Sequence, residues 1–133
     1  MHASHTVTLK VIFRVLQYGK NTVYVYGSLD EPMFDVSDID HVIGDTDTEL
    51  AAKMDISARY ATKILVVTPT NNIRYRALYT KYGVLKRIFS SSRDNINLEL
   101  WIMGVLDGFT RESVIAGHFG SPRSSSPRSS SPM

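Results

Sequence analysis

Residues 7–26 decide the reading of this chain: Val7-Thr-Leu-Lys-Val-Ile-Phe-Arg-Val-Leu16, then Gln17-Tyr-Gly-Lys-Asn-Thr22, then Val23-Tyr-Val-Tyr26. Val7, Leu9, Val11, Phe13 and Val15 alternate with a face that carries Thr8, Lys10 and Arg14. That period of two, rich in β-branched residues, predicts a strand. Gly19-Lys20-Asn21 has turn chemistry, and Thr22 to Tyr26 alternates again, so the two runs form an N-terminal β-hairpin. Gly27 to Pro32 interrupts it, and Met33-Phe34 begins a further short strand.

Helices follow the hairpin. Ser37 is positioned to cap a helix over 38–43, with Val36, Ile39, Val42 and Ile43 on one face and Gly44 as its stop. Asp38 and Asp40 lie in its first turn, where the helix dipole favours acids. Asp47 or Thr48 is positioned to cap a second short helix, Glu49 to Met54. Lys63 to Thr68 reads as a strand stopped by Pro69. Ile73 to Tyr79 alternates, with Arg74 and Arg76 on one side and Ile73, Tyr75 and Ala77 on the other. Thr80 is placed to cap a helix over 81–89 with Tyr82, Leu85 and Phe89 as its apolar stripe. Asp94 is placed to cap a last helix, with Leu98, Trp101, Ile102 and Val105 toward the core and a C-terminal end weakened by Gly104 and Gly108.

The expected fold is therefore α+β: an N-terminal β-hairpin and a small mixed sheet packed with three to four short helices. The domain covers residues 5–113. Residues 114–133 hold a five-residue repeat, Ser121-Pro122-Arg123-Ser124-Ser125 and Ser126-Pro127-Arg128-Ser129-Ser130, which cannot bury a core and reads as a disordered tail. Its Ser-Pro pairs suit proline-directed kinases; a plain solubilising linker is the simpler reading.

Length (133 residues) and 43% hydrophobic content suit one globular domain. The chain has no cysteine, which excludes disulfides, thiolate metal sites and cysteine nucleophiles. No apolar run is long enough to span a membrane, and Met1 to Thr8 lacks the pattern of a signal peptide. An intracellular location is expected.

The formal charge of +2 conceals a strong asymmetry. Residues 27–57 carry nine acids and one base, a sum of −8; residues 58–93 carry eight bases and no acid, a sum of +8. Either the two blocks face each other within the fold, or the basic block serves an anionic partner.

Enzymatic signatures are weak. His2, His5, His41 and His118 do not have zinc spacing. Asp40-His41 reads as a solvated helix face. Asp45 to Glu49 resembles the start of a calcium loop, but Leu50 stands where glycine is required and Ile56 where a bidentate acid belongs. There is no phosphate-binding glycine loop and no Gly-x-Ser-x-Gly. The reading is of a non-enzyme without cofactor or metal. The basic block points instead to nucleic acid, because lysine and arginine neutralise phosphates and release counterions. The candidate contacts are Arg74 and Arg76 on one strand face, Lys86 and Arg87 on the following helix, and Arg93, with Lys63 and Lys81 beside them. Tyr60, Tyr75, Tyr79 and Tyr82 are interleaved and could stack on bases; for Tyr79 and Tyr82 a core role is the preferred reading.

Three pieces carry a family likeness. They are Phe34-Asp-Val-Ser-Asp-Ile-Asp-His-Val-Ile-Gly44, then Tyr82-Gly-Val-Leu-Lys-Arg-Ile-Phe-Ser-Ser-Ser92, then Leu98-Glu-Leu-Trp-Ile102 followed by Val105-Leu106. In order and spacing, after a β-hairpin, they resemble the Bro-N domain. This is the N-terminal domain of baculovirus repeated-ORF proteins, also found in other large DNA viruses and in phage antirepressors. Asp107 stands where that family usually has proline. The resemblance covers most of residues 7–113. It implies an α+β domain that binds DNA in viral regulation of transcription or replication, without enzyme activity, in the host nucleus or cytoplasm. Duplex DNA is the expected partner, with single strands or RNA as alternatives and a homodimer or a host chromatin protein as further partners. A protein-interaction module with opposed acidic and basic faces is the competing reading.

Overall fold

The computed structural model describes residues 9–44, 59–91 and 95–119. The expected hairpin forms: β1 (Ile12–Tyr18) pairs antiparallel with β2 (Asn21–Gly27), Tyr18 facing Asn21 across a two-residue turn at Gly19-Lys20. The expected apolar face is not kept, since Val11 and Val15 are exposed and Arg14 pairs with Val25. A bulge between Ile12 and Arg14 shifts the register, which turns Phe13 onto the helix-covered face. β3 (Pro32–Asp35) is short and wholly buried. β4 (Ala61–Val67) and β5 (Ile73–Tyr79) make a second hairpin. The sheet order is β1-β2-β3-β5-β4.

Every strand pair is antiparallel. Among the described residues parallel pairing is confined to one isolated bridge, Lys10 to Val66. There the Lys10 amide donates to the Leu65 carbonyl and the Val67 amide to the Lys10 carbonyl, each at 3.0 Å. The segment ahead of β1 thus leaves one edge of the sheet and reaches the other, so the sheet curls.

Curling gives the sheet two apolar faces. On one, Val23, Val25, Phe34 and Tyr79 pack against α1 (Val36–Ile43), α2 (Lys81–Phe89) and α3 (Ile96–Phe119). On the other, Tyr26, Met33, Val66 and Leu78 form a smaller core flanked by Ile12, Tyr24 and Ile64.

The helix ends mostly follow the sequence signals. Gly44 stops α1 at φ 65°, a left-handed conformation in which a side chain would be strained. The cap at its other end is Asp35 rather than Ser37: its Oδ1 accepts from the Asp38 amide at 3.1 Å. Asp35 ends β3, so helix and strand meet without a linker. Asp38 then covers the stretch of β2 that short β3 leaves unpaired, accepting from the Tyr24 amide at 3.0 Å.

α3 runs through Gly104 and Gly108 to Phe119, beyond the expected domain limit at 113. Leu98, Ile102, Leu106 and Phe109 are buried on one stripe, and Phe109 lies 5.4 Å from Phe13 between ring centres. Such anchoring outweighs the roughly 1 kcal/mol cost of each glycine. Arg14 donates twice to Glu112, at 2.8 and 3.1 Å, and tethers the helix beyond that stripe. The expected helix over 49–54, the Asp94 cap and the repeat tail from residue 120 lie outside the described residues.

Candidate nucleic-acid interface

α2 carries the basic helix of the sequence, and its orientation decides which residues are offered outward. Thr80 caps it as expected, its Oγ1 accepting from the Gly83 amide at 3.0 Å. Gly83 permits a close approach: a Cβ there would stand 2.8 Å from Tyr60 Cβ and 2.9 Å from its carbonyl oxygen. Gly83, Val84, Arg87 and Ile88 face inward. Of the expected stripe, Leu85 packs partly buried against the core, whereas Tyr82 and Phe89 turn toward solvent, Tyr82 at 58% exposed.

Arg87 lies on this inward side, which corrects its own assignment. Its side chain is 2% exposed, and its Nε donates to Asp40 Oδ1 at 3.0 Å. The Tyr79 hydroxyl donates to the same oxygen at 3.2 Å. Arg87 is thus committed to the interior and is not placed to meet a phosphate. Tyr79 is buried, as the core reading expected, whereas Tyr82 is not.

The other candidates do not share one surface. Arg74 and Arg76 emerge on the face of β5 opposite the helices, beside Val66 and Ile64. Arg74 is exposed. Arg76 is half-buried, with Nη1 3.7 Å from buried Asp35. Lys63 stands on the helix-side face of β4, opposite Ala77. Lys81 and Lys86 flank Tyr82 on α2, and both are exposed. Arg93 lies outside the described residues. The acidic and basic blocks of the sequence therefore meet within the fold at Asp35–Arg76 and Asp40–Arg87, while Lys63, Arg74, Lys81 and Lys86 stay at the surface.

Around Tyr82 the structure gathers groups that are distant in sequence. Tyr60 meets its ring at 5.2 Å with an interplanar angle of 78°, and Lys86 Nζ lies 5.9 Å from the ring centre. Beside the ring opens a cavity of about 390 Å³ that Lys10, Met33, Ile64 and Lys81 also line. Lys10 is joined to Glu31 at 3.6 Å. No local pattern marks Lys10, which belongs to the N-terminal strand run and arrives here because the sheet curls.

The smaller core holds a polar cluster. Tyr26 is fully buried, and its hydroxyl has no hydrogen-bond partner among the described residues. Burial, reinforced by the Asp35 charge, pushes its phenol up to about 12. Burial also raises the Asp38 carboxyl above its ordinary range, against the opposing bond from the Tyr24 amide.

Among the described residues no three His, Asp or Glu side chains are grouped to hold a metal ion, and no helix is long and apolar enough to cross a membrane. Compared with protein-family models, curated proteins and solved structures, the chain matches none.

Proposed function

We propose that the chain is a non-enzymatic DNA-binding module of the viral or phage regulatory kind that its likeness to the Bro-N domain implies. Its interface is centred on the outward side of α2. The observation that carries this reading is Tyr82, held exposed between Lys81 and Lys86 beside a cavity that Lys10 also lines. Lysines supply phosphate affinity that needs no base sequence, and an exposed tyrosine among them offers a stacking surface. Lys63 and Arg74 extend the basic surface on either side of the sheet. Arg76 contributes less, because it serves Asp35.

The competing protein-interaction reading has less support. It needs whole acidic and basic faces turned outward, and two acid–base pairs between the blocks are closed inside the chain.

Gel-shift titration of Lys81→Glu plus Lys86→Glu tests the proposal. Each exposed lysine removed from a phosphate contact lowers the salt slope by about 1, so the double variant should lose about 2 and bind far more weakly. Unchanged affinity in that variant contradicts the placement.

A further inference from the structure

We infer that the cavity beside Tyr82 is a subsite for one unstacked nucleobase, so that the module favours unpaired nucleotides over intact duplex. The inference rests on the nucleic-acid reading above and names the form of nucleic acid it takes. The cavity volume, about 390 Å³, lies at the small end of the roughly 300–1,000 Å³ typical of ligand sites. That suits a single ring system and excludes a helix or a run of bases.

Its chemistry is divided as a nucleotide is. Met33 and Ile64, from the smaller core, give it an apolar wall, and Tyr82 adds an aromatic one. Lys10 and Lys81 line the same space beside Asp30 and Glu31, and exposed Lys81, which has no carboxylate partner among the described residues, is the cation placed for a phosphate at its rim. Glu31 lies there too, as an acceptor for a base amino group, 3.6 Å from Lys10. A base could lie against Tyr82 while its phosphate meets a lysine.

Tyr82 is prepared for this contact. Its edge-to-face packing on Tyr60 limits the swing of the ring, and Gly83 holds the first turn of α2 close to Tyr60. A base inside a duplex shows its edges to a groove and keeps its faces stacked. To enter this cavity it must leave the stack at a cost that is smallest when it is already unpaired.

The test is fluorescence anisotropy on the full chain with three labelled DNAs: a perfect duplex, the same duplex carrying one extrahelical thymidine, and a single strand. Stacking of one base on an aromatic side chain predicts roughly tenfold tighter binding of the second and third probes than of the first. Tyr82→Leu should abolish that preference and keep the salt slope, and Tyr82→Phe should restore it. Because Tyr82 is exposed, both variants should keep the parent thermal midpoint, which is measured alongside. Equal affinity for perfect and bulged duplexes overturns the base subsite and leaves the nucleic-acid reading standing. Absence of salt-dependent binding to all three DNAs overturns both. An unchanged preference in Tyr82→Leu overturns the role of the ring.

Discussion

Arg87 of α2 and Asp40 of α1 are joined by a 3.0 Å bond from Nε to Oδ1, with side chains only 2% and 10% exposed. This pair links the basic block of the sequence to the acidic one, on the side of α2 that Gly83, Val84 and Ile88 also bury. Removing Arg87 takes the cation away from the buried Asp40 carboxylate, which keeps the bond from the Tyr79 hydroxyl, and breaking a buried pair in this way costs about 3–5 kcal/mol. Arg87→Ala should therefore lower stability by that order in urea unfolding. The folded fraction should still bind DNA with the parental salt slope, because Arg87 touches no phosphate. A reduced slope with normal stability would return Arg87 to the interface.

Tyr26 gives a prediction at alkaline pH. Its folded phenol ionises near 12, whereas the unfolded chain releases the proton near 10. Below pH 10 both states are protonated and the group is neutral to stability. From pH 10 to 12 the unfolded state alone gains by ionising, so stability falls, by about 2–3 kcal/mol for a shift of this size. Tyr26→Phe should remove that part of the alkaline loss. It should cost little at pH 7, since the hydroxyl it deletes has no partner among the described residues. Unfolding midpoints across pH 8–12 would check this, and an unchanged alkaline limb contradicts it.

Gly83→Ala tests the seat of Tyr82. The added Cβ meets the backbone and Cβ of Tyr60 at under 3.0 Å, so α2 must shift outward, at roughly 1–3 kcal/mol for overpacking of this kind. The variant should unfold earlier, change the near-ultraviolet circular dichroism of the tyrosines and weaken nucleic-acid binding together. Earlier unfolding with unaltered binding would separate Tyr82 from the interface.

The tether of α3 should respond to acid. The bond from Arg14 holds the Glu112 carboxyl below its ordinary value of 4.5. Its contribution is therefore present above that value and is lost as pH falls through the lowered one. Hydrogen exchange of α3 beyond Phe109 should accelerate as pH drops below 4.5 relative to the stretch from Leu98 to Phe109. Glu112→Gln should show the faster exchange already at neutral pH. Equal protection in parent and variant would show that the tether does not hold this end.

Much of the fold was legible because its signals are local. Alternation marked β1, β2 and β5, and Thr80 and Gly44 marked helix ends. What sequence could not show depends on distant partners. The stripe Tyr82, Leu85, Phe89 is as apolar as a core face should be, but Val84 and Ile88 take the core side, and Arg87 joins them through Asp40, 47 residues earlier. Ser37 is a reasonable cap by type, but Asp35 reaches the Asp38 amide from the end of a strand. Lys10 lies outside the basic block and reaches the cavity that Lys81 lines because a backbone bridge to Val66, which no periodicity announces, carries it to β4. Alternation puts Arg74 and Arg76 on one face, as the structure has them, but carries no sign of Asp35, the neighbour that occupies Arg76. Glycines at 104 and 108 suggested an early end to a helix that tertiary packing carries further.

The most direct measurement is the affinity of the full chain for DNA as a function of salt. With Lys10, Lys81, Lys86 and one of Lys63 or Arg74 engaging phosphates, the logarithm of the binding constant should fall against that of salt concentration with a slope of about −3 to −4. Lys81→Glu plus Lys86→Glu should bring that slope to about −1 to −2. A slope near zero, or the same slope in parent and variant, contradicts an interface centred on α2.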